Sequence, residues 1–265
     1  ELATAEKRYF SEHEKETKAI ILAATQGDKF SHLTSNCPKV MLQVNGKPLL
    51  SRLLDLFKKS NVEKIVVVGG FKLEKINIPN IELIENKAYE TSGELASLYL
   101  TRDHFNDDMV ILYGDLIFRG YVLKGLIESN RELTVIVDSS KTSKKTKEDN
   151  DFAYCSVEDN RELWGRDVVL DFISDLPDSA GRKCQGRWIG MMRATGNGKK
   201  WIEEAIDKLE KNSDFLKLNL CDLLNTIIEN GHPIRVIYIH GHWLNVNSLI
   251  DLEQAASFTI GGQQP

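Results

Sequence analysis

Short apolar runs alternate with amphipathic segments along the chain from Lys18 onward. Near-continuous apolar runs are typical of strands buried on both faces, whereas apolar residues at helical spacing indicate helices between them. The following runs predict strands: AIILAA, VMLQV, KIVVVGG, IELIEN, MVILYGD, LTVIVD, GRWIGMMRAT and PIRVIYIH. This alternation predicts an α/β fold with a doubly wound, mostly parallel mixed sheet.

The amphipathic segments predict the helices PLLSRLLDLFKKS, GELASLYLTRDHF, YVLKGLIES, KKWIEEAIDKLEK, FLKLNLCDLLNTIIENG and SLIDLEQAASF. One stretch departs from the alternation, FAYCSVEDNRELWGRDVVL, and predicts two short strands around a polar turn. We interpret it as a small β-hairpin inserted beside the main sheet. Residues 1–17 are rich in Glu and Lys and predict a helical extension or linker, so the domain is expected to span residues 18–265.

The net charge and the lengths of the apolar runs restrict the kinds of partner that the chain can bind. A net charge of −5 gives no general attraction to nucleic acid or to an anionic membrane, so an anionic ligand would need local cations. No apolar run approaches the roughly 20 residues that cross a bilayer. The first 18 residues are charged throughout and the four cysteines are scattered without a CxxC pair, so we expect a cytoplasmic location.

The first strand leads into a loop of small and polar residues, KAIILAATQGDKFSHLTSNCPK. Such loops bring backbone N–H groups close to phosphates in open α/β sheets, although a plain strand-to-loop connection is the alternative. The patterns GxGxxG and GxxxxGK[ST] are absent, which argues against a nicotinamide dehydrogenase and against a P-loop enzyme.

The loop resembles the signature of the sugar-phosphate and choline-phosphate nucleotidyltransferases, LAAGxGxRF followed by PK. Here the signature reads LAATQGDKF, Leu22 to Phe30, and then Pro38-Lys39. Thr25 stands where the first glycine is usual, and Lys29 stands where arginine is usual. Lysine keeps the positive charge but lacks the bidentate fork of arginine.

The resemblance covers residues 18 to 258, and it implies the Rossmann-like nucleotidyltransferase fold. GELASLY and GRWIGMMRAT are most similar to the phosphonate cytidylyltransferases, which are often joined to phosphoenolpyruvate mutase; bacterial choline-phosphate cytidylyltransferases come next. By resemblance, therefore, the base is cytosine and the nucleotide is CTP. Fusion or association with such a mutase is a further implication.

The resemblance also assigns roles to individual residues. Lys29 would meet the leaving pyrophosphate, and Lys39 would bridge the acceptor oxyanion and the α-phosphate. Glu94 and Ser97 would contact base and ribose. The remaining nucleotide-binding residues would be Leu22, Ala23, Ala24, Thr25, Gln26 and Gly27.

Asp115 directly follows the buried strand MVILY-Gly, at the carboxyl edge where open α/β sheets hold ligands. A carboxylate there suits Mg²⁺, which takes one or two protein oxygens and otherwise water and phosphate. By resemblance, HGHWLNVNS returns a second metal ligand, Asn247, which is neutral and weaker than the usual aspartate. His240 and His242 lack the partners of a zinc site and are expected to be structural.

Two further features receive structural interpretations. The lysines between Lys141 and Lys147 predict a solvated loop, with contact to an anionic substrate as the alternative. Trp188 and Trp243 are expected in the core or the wall of the cleft, and an aromatic box around a substrate cation is the alternative.

The sequence thus predicts a Mg²⁺-dependent cytidylyltransferase that joins CMP from CTP to a small phosphonate, such as 2-aminoethylphosphonate or 2-hydroxyethylphosphonate. The alternatives are a choline-phosphate or sugar-1-phosphate nucleotidyltransferase, and a degenerate nucleotide-binding domain that supports a fused mutase.

Overall fold

The computed structural model describes residues 17–106, 108–142, 151–160 and 167–260. Residues 1–16 of the predicted extension, 1–17, lie outside these ranges, and so does most of the lysine-bearing segment that begins at Lys141. The first described strand begins at Thr17, close to the expected start of the domain.

The strands alternate with helices in the predicted order. In chain order, the described strands are β1 Thr17–Ala23, β2 Gln43–Val44, β3 Lys47–Pro48, β4 Lys64–Gly69, β5 Glu82–Glu85, β6 Asp108–Tyr113, β7 Leu116–Phe118, β8 Leu133–Asp138, β9 Phe152–Cys155, β10 Leu170–Ser174, β11 Asp178–Ser179, β12 Arg182–Lys183, β13 Gly186–Ala194, β14 Arg235–Ile239 and β15 Trp243–Asn245. The described α-helices are α1 Leu49–Lys59, α2 Glu94–Tyr99, α3 Gly120–Ile127, α4 Asn197–Leu209, α5 Leu220–Glu229 and α6 Leu249–Ile260.

Within the described ranges, nine strands form the main sheet. Its parallel part has the order β6-β1-β4-β5, and β14 runs parallel to β8. Strand β13 runs antiparallel to β6, β8 and β9, so most strands share one direction and their carboxyl ends meet at one edge. The predicted α/β class and the mostly parallel mixed sheet are confirmed.

Helices cover both faces of this sheet, because side chains along β1 alternate between two cores. Ile20 and Leu22 pack in a cluster with residues of α2, α4 and α5. Ala19 and Ile21 pack in a second cluster with residues of α1 and α3. A third, smaller cluster seats α6 against the loop after β1. None of the helices in the described part of the chain has the length and apolar character needed to cross a membrane.

The predicted hairpin is present as β9 and β10, which pair antiparallel. It extends the main sheet, however, because β9 also pairs with the start of β13. Its second strand begins only at Leu170, the last residue of the predicted stretch. Side chains of β9 are wholly buried, which favours a place in the sheet over a place beside it.

The predicted strand VMLQV is present only at its last two residues, Gln43–Val44. Residues Lys39–Met41 form a 3-10 turn, because the backbone N–H groups of Met41 and Leu42 donate to the carbonyls of Pro38 and Lys39. A strand follows only at β2, where Asn45 and Gly46 make the tight turn to β3. The turn directs Lys39 inward, where Lys39 is buried.

Two predicted helices are shorter than their patterns indicate. GELASLYLTRDHF is helical as α2 and then continues as a separate 3-10 turn at Arg102–His104. FLKLNLCDLLNTIIENG divides into a 3-10 turn, Phe215–Lys217, and α5. Asn219 separates these two, because its side chain forms a capping box with Asp222 and so fixes the start of α5.

Strand β13 contains an irregularity between Trp188 and Met192 in its pairing with β8. Gly190 lies in this bulge with φ 79°, a left-handed conformation that favours glycine. A Cβ at this position would collide with the ring of Tyr113. The bulge thus lets the ring of Tyr113 lie against backbone, at the end of β6.

Gly190→Ala is therefore expected to lower the free energy of unfolding by about 2–4 kcal/mol, from overpacking and from left-handed strain. Gly181→Ala is the matched control, because Gly181 also has a positive φ of 70° but no atom lies within 4 Å of where its Cβ would stand. It should cost about 1–2 kcal/mol. Denaturant unfolding of both variants measures the difference, and equal losses would show that Tyr113 yields without cost.

Candidate active site

The loop after β1 turns sharply at Gly27, where φ is 83°. The carbonyl of Gly27 accepts hydrogen bonds from the Phe30 N–H and the Thr34 hydroxyl, each at 3.0 Å. A Cβ on Gly27 would lie 3.1 Å from the Cβ of Lys39. Glycine is thus required both for the turn and for the passage of the lysine stem.

Lys39 brings the predicted catalytic and metal-binding residues together. Its ammonium donates hydrogen bonds to Oδ2 of Asp115 and Oδ1 of Asn247, each at 2.5 Å. The side chains of Lys39 and Asp115 are 6% and 17% exposed, so this ion pair is largely shielded from water. The ring of Phe30 lies 5.9 Å from the ammonium.

The fold brings Asn247 to Asp115 through a small antiparallel ladder. Strand β7 begins directly after Asp115 and pairs with β15, and the Val246 N–H donates to the Asp115 carbonyl at 3.0 Å. Asp251 then fixes the backbone beyond the ladder, because its carboxylate accepts from the Asn247 N–H and the Ser248 hydroxyl, both at 2.9 Å. The amide of Asn247 is therefore held at the edge where β6 ends.

The polar chemistry of this site fits a magnesium ion. Oδ1 of Asp115 is buried, and no described residue gives it a hydrogen bond. The described part of the chain contains no group of three His, Cys, Asp or Glu side chains that would form a complete cage. An ion would therefore take oxygens of Asp115 and Asn247 and obtain its other ligands from water or phosphate, as Mg²⁺ does.

The predicted base-binding segment is built around Asn86, which directly follows β5 and is buried. Its side-chain amide donates to the hydroxyls of Ser92 and Ser97, each at 2.9 Å. Its side-chain oxygen accepts from the Ala88 N–H at 2.9 Å, which closes a turn. The hydroxyl oxygen of Ser97 thus accepts a hydrogen bond from Asn86, and its O–H group can donate to another partner.

The other predicted nucleotide contacts lie at the end of β1. Leu22 and Ala23 are buried strand residues, whereas Thr25 is exposed and Gln26 is partly exposed in the loop. Lys29 is exposed at the start of the following 3-10 turn. The roles given to these residues, and to Ala24 and Gly27, stay predictions.

The sequence profile of the MobA-like NTP transferase domain matches residues 19–161, more than half of the chain. The chain belongs to this family. It is accordingly a nucleotidyltransferase, and the site at the carboxyl edge of its sheet lies within the matched residues except for Asn247.

Individual relatives of this NTP transferase are distant in sequence. The CTP:phosphoglutamine cytidylyltransferase of Campylobacter jejuni is 24% identical over 258 residues, covering 89% of this chain and 97% of that protein. The bifunctional protein GlmU of Methanococcus maripaludis is 27% identical, and the match covers 86% of this chain but only 54% of that protein. The nucleotidyltransferase chain therefore spans about half the length of that relative.

A solved structure confirms the nucleotidyltransferase fold. The CTP:phosphocholine cytidylyltransferase LicC of Streptococcus pneumoniae superposes with a TM-score of 0.70 at 19% identity. The match covers 92% of this chain and 99% of that chain.

Two further acids of the nucleotidyltransferase are partly buried: Glu94, which the sequence analysis assigned to base and ribose, and Asp151, which it did not identify. Burial raises the pKa of Glu94, and the charges of Asp151 and Asp115 raise it further, against a hydrogen bond from its own backbone N–H. Burial also raises the pKa of Asp151, although the Cys221 thiol donates to its Oδ1 at 3.0 Å and Arg187 provides a positive charge. Glu94 is thus influenced by the charges of both Asp151 and Asp115, and these three carboxylates are called the acidic cluster below.

Tyr113 and Cys221 line the same cluster. Burial raises the pKa of Tyr113 well above its usual value, and the charge of Glu94 adds to the effect. Burial and Asp151 likewise raise the pKa of the Cys221 thiol well above its usual value. Both side chains therefore stay protonated and neutral at physiological pH.

One signal in the sequence could have identified Asn86, because it ends the predicted strand IELIEN just as Asp115 ends MVILYGD. No such signal marks Asp151, which follows a run of charged residues with no periodic pattern. Its approach to Glu94 depends on the pairing of β9 with β13, a tertiary contact.

Glu94→Gln is expected to stabilise the protein at pH 8 and to change its stability little at pH 4. Because burial raises the pKa of Glu94, the ionised form is disfavoured in the fold, and Glu94 therefore costs stability as pH rises above the usual carboxyl pKa of 4.5. Melting temperatures of the wild type and the variant across this range measure the effect. A constant difference between them at every pH would contradict the assignment of the buried charge.

Proposed function

We propose that this nucleotidyltransferase transfers CMP from CTP to a small phosphonate or phosphate acceptor and releases pyrophosphate. The observation that carries the proposal is the convergence of Lys39, Asp115 and Asn247 at the carboxyl edge of the sheet, beside the glycine-containing loop. The relatives named for CTP favour cytosine over the other bases.

In the proposed reaction, an oxygen of the acceptor forms a new bond to the α-phosphorus of CTP. The bond from that phosphorus to the bridging oxygen breaks, and its electron pair leaves with pyrophosphate. The acceptor oxyanion needs no covalent enzyme intermediate, so the protein contributes mainly alignment and charge neutralisation.

The chain supplies both contributions. Backbone N–H groups between Ala24 and Gly27 would hold the triphosphate, and Lys29 would balance the charge of the leaving pyrophosphate. Lys39 would contact the α-phosphate and the acceptor oxyanion. A magnesium ion at Asp115 and Asn247 would add positive charge on phosphate oxygens.

The acceptor in this proposal carries an amino group in addition to its phosphonate or phosphate. Glu94, Asp151 and Asp115 place three carboxylates in one partly buried region, where Arg187 acts on Asp151 and Lys39 pairs with Asp115. An ammonium group would be attracted to that region, whereas a neutral hydroxyl would gain much less. Association with a phosphoenolpyruvate mutase, and a cytoplasmic location, remain parts of the same proposal.

A screen of acceptors and nucleotides tests the proposal directly. Pyrophosphate release is measured with each of the four nucleoside triphosphates and with 2-aminoethylphosphonate, phosphocholine, phosphoglutamine and a sugar 1-phosphate. CTP should be the preferred nucleotide, and an amine-bearing acceptor should be the preferred acceptor. Comparable turnover with UTP or a purine triphosphate would contradict the assignment of the base.

The amino group is tested by a matched pair, 2-aminoethylphosphonate and 2-hydroxyethylphosphonate, which differ at the terminal group. The wild type should prefer the amine, and Glu94→Gln should reduce that preference by about 10-fold, equivalent to about 1.4 kcal/mol. If Glu94 instead contacts the nucleotide, the variant raises the KM for CTP equally with both acceptors.

Lys39→Ala is expected to lower turnover by about 10² or more, roughly 2.7 kcal/mol of transition-state stabilisation. Lys47→Ala is the control, because Lys47 pairs with Asp55 on the surface of the β2-β3 hairpin. Steady-state rates of both variants, with circular dichroism to verify folding, decide the role. Normal kinetics in the folded Lys39 variant would reduce Pro38-Lys39 to a structural turn.

A further inference from the structure

The ammonium of Lys39 occupies the position where the two proposed metal ligands converge. It donates to one oxygen of Asp115 and to the side-chain oxygen of Asn247, each at 2.5 Å. The second oxygen of Asp115 is buried, and no donor among the described residues reaches it. A lysine cation therefore takes oxygens that a metal ion would need.

The stem of Lys39 is confined, and its ammonium donates hydrogen bonds to Asp115 and Asn247. Gly27 leaves room for the stem, and a Cβ there would approach Lys39 to 3.1 Å. The side chain is only 6% exposed, so water does little to balance its charge. A buried ammonium without a partner is strongly disfavoured, and Asp115 is therefore held by the lysine.

A divalent ion and this ammonium cannot both be well held by Asp115 and Asn247. Like charges at contact distance repel strongly where water is partly excluded. A single carboxylate also cannot balance the three positive charges. The ion and the lysine are thus alternative occupants of the same pair of side chains.

We propose that Lys39 closes the metal site in the nucleotide-free protein and that a triphosphate opens it by accepting the ammonium. This inference rests on the proposed function for the identity of the triphosphate. Metal and nucleotide then bind with positive coupling, because each favours the conformation in which Lys39 has left Asp115. Metal affinity without nucleotide is reduced by the small fraction of protein in that conformation.

The neutral side chain of Asn247 has a role in this exchange. An aspartate at this position would hold the ammonium with a second carboxylate and would oppose its release. Asn247→Asp alone should therefore improve metal binding little. The same substitution together with Lys39→Met should improve it further than Lys39→Met alone, because only the metal can then use the added charge.

The test is a titration of the nucleotide-free protein with Mn²⁺, followed by electron paramagnetic resonance of the free ion. Lys39→Met should bind Mn²⁺ at least 10-fold more tightly than the wild type. Lys47→Met removes the same charge at the surface, away from Asp115, and should stay within about twofold of the wild type. Asp115→Asn added to Lys39→Met should abolish the gain, which locates the ion.

Unchanged or weaker Mn²⁺ binding by folded Lys39→Met would overturn the proposal. An equal gain in Lys39→Met and Lys47→Met would also overturn it, because net charge would then explain the effect. Lys39→Gln serves as a second variant of similar length should the methionine variant not fold, with the same expected gain. No nucleotide or product enters this titration, so its outcome is separate from that of the activity screen.

Discussion

The buried ammonium of Lys39 imposes a constraint that organises the carboxyl edge of the sheet. It must lie against Asp115, 76 positions along the chain, and it also reaches Asn247, 208 positions along. Removing one partner of a buried pair leaves an uncompensated charge, at a cost of about 3–5 kcal/mol. The loop after β1, the end of β6 and the segment after β15 are therefore tied at one point, so charge balance and the geometry of this edge of the sheet depend on each other.

A second buried charge, Asp138, supports this arrangement from β8, which β13 separates from β6. Asp138 ends β8 with no exposed surface, and it accepts hydrogen bonds from the Gly241 N–H at 2.9 Å and the Trp243 indole at 2.7 Å. Ser140 donates to it through both its N–H and its hydroxyl. Burial opposes ionisation, but these donors outweigh it and keep the pKa of Asp138 below its usual value. Trp243 opens β15, so Asp138 fixes the strand that delivers Asn247.

Local patterns in the sequence were sufficient to predict strands that are buried on both faces. The apolar run that contains Ile20 and Ile21 predicts a strand, and helices cover both of its faces in the structure. Asp115 was predicted from the general position of ligands at strand ends. VMLQV carries the same apolar signal, but its first two residues belong to a 3-10 turn, in which Lys39 points inward to the distant carboxylate of Asp115. The acidic cluster depends likewise on contacts between β9 and β13 that no local pattern encodes.

The acidic cluster lowers the stability of the fold. Burial raises the pKa of Glu94 and of Asp151, so ionised carboxylates are held in the fold at a cost. Arg187 offsets part of that cost at Asp151, and the cluster as a whole remains acidic. Apolar residues of similar volume would stabilise such a site better. A cationic group on the acceptor would reduce the repulsion between these carboxylates and replace part of their lost solvation. The binding energy of that group would then offset the cost of burying the carboxylates.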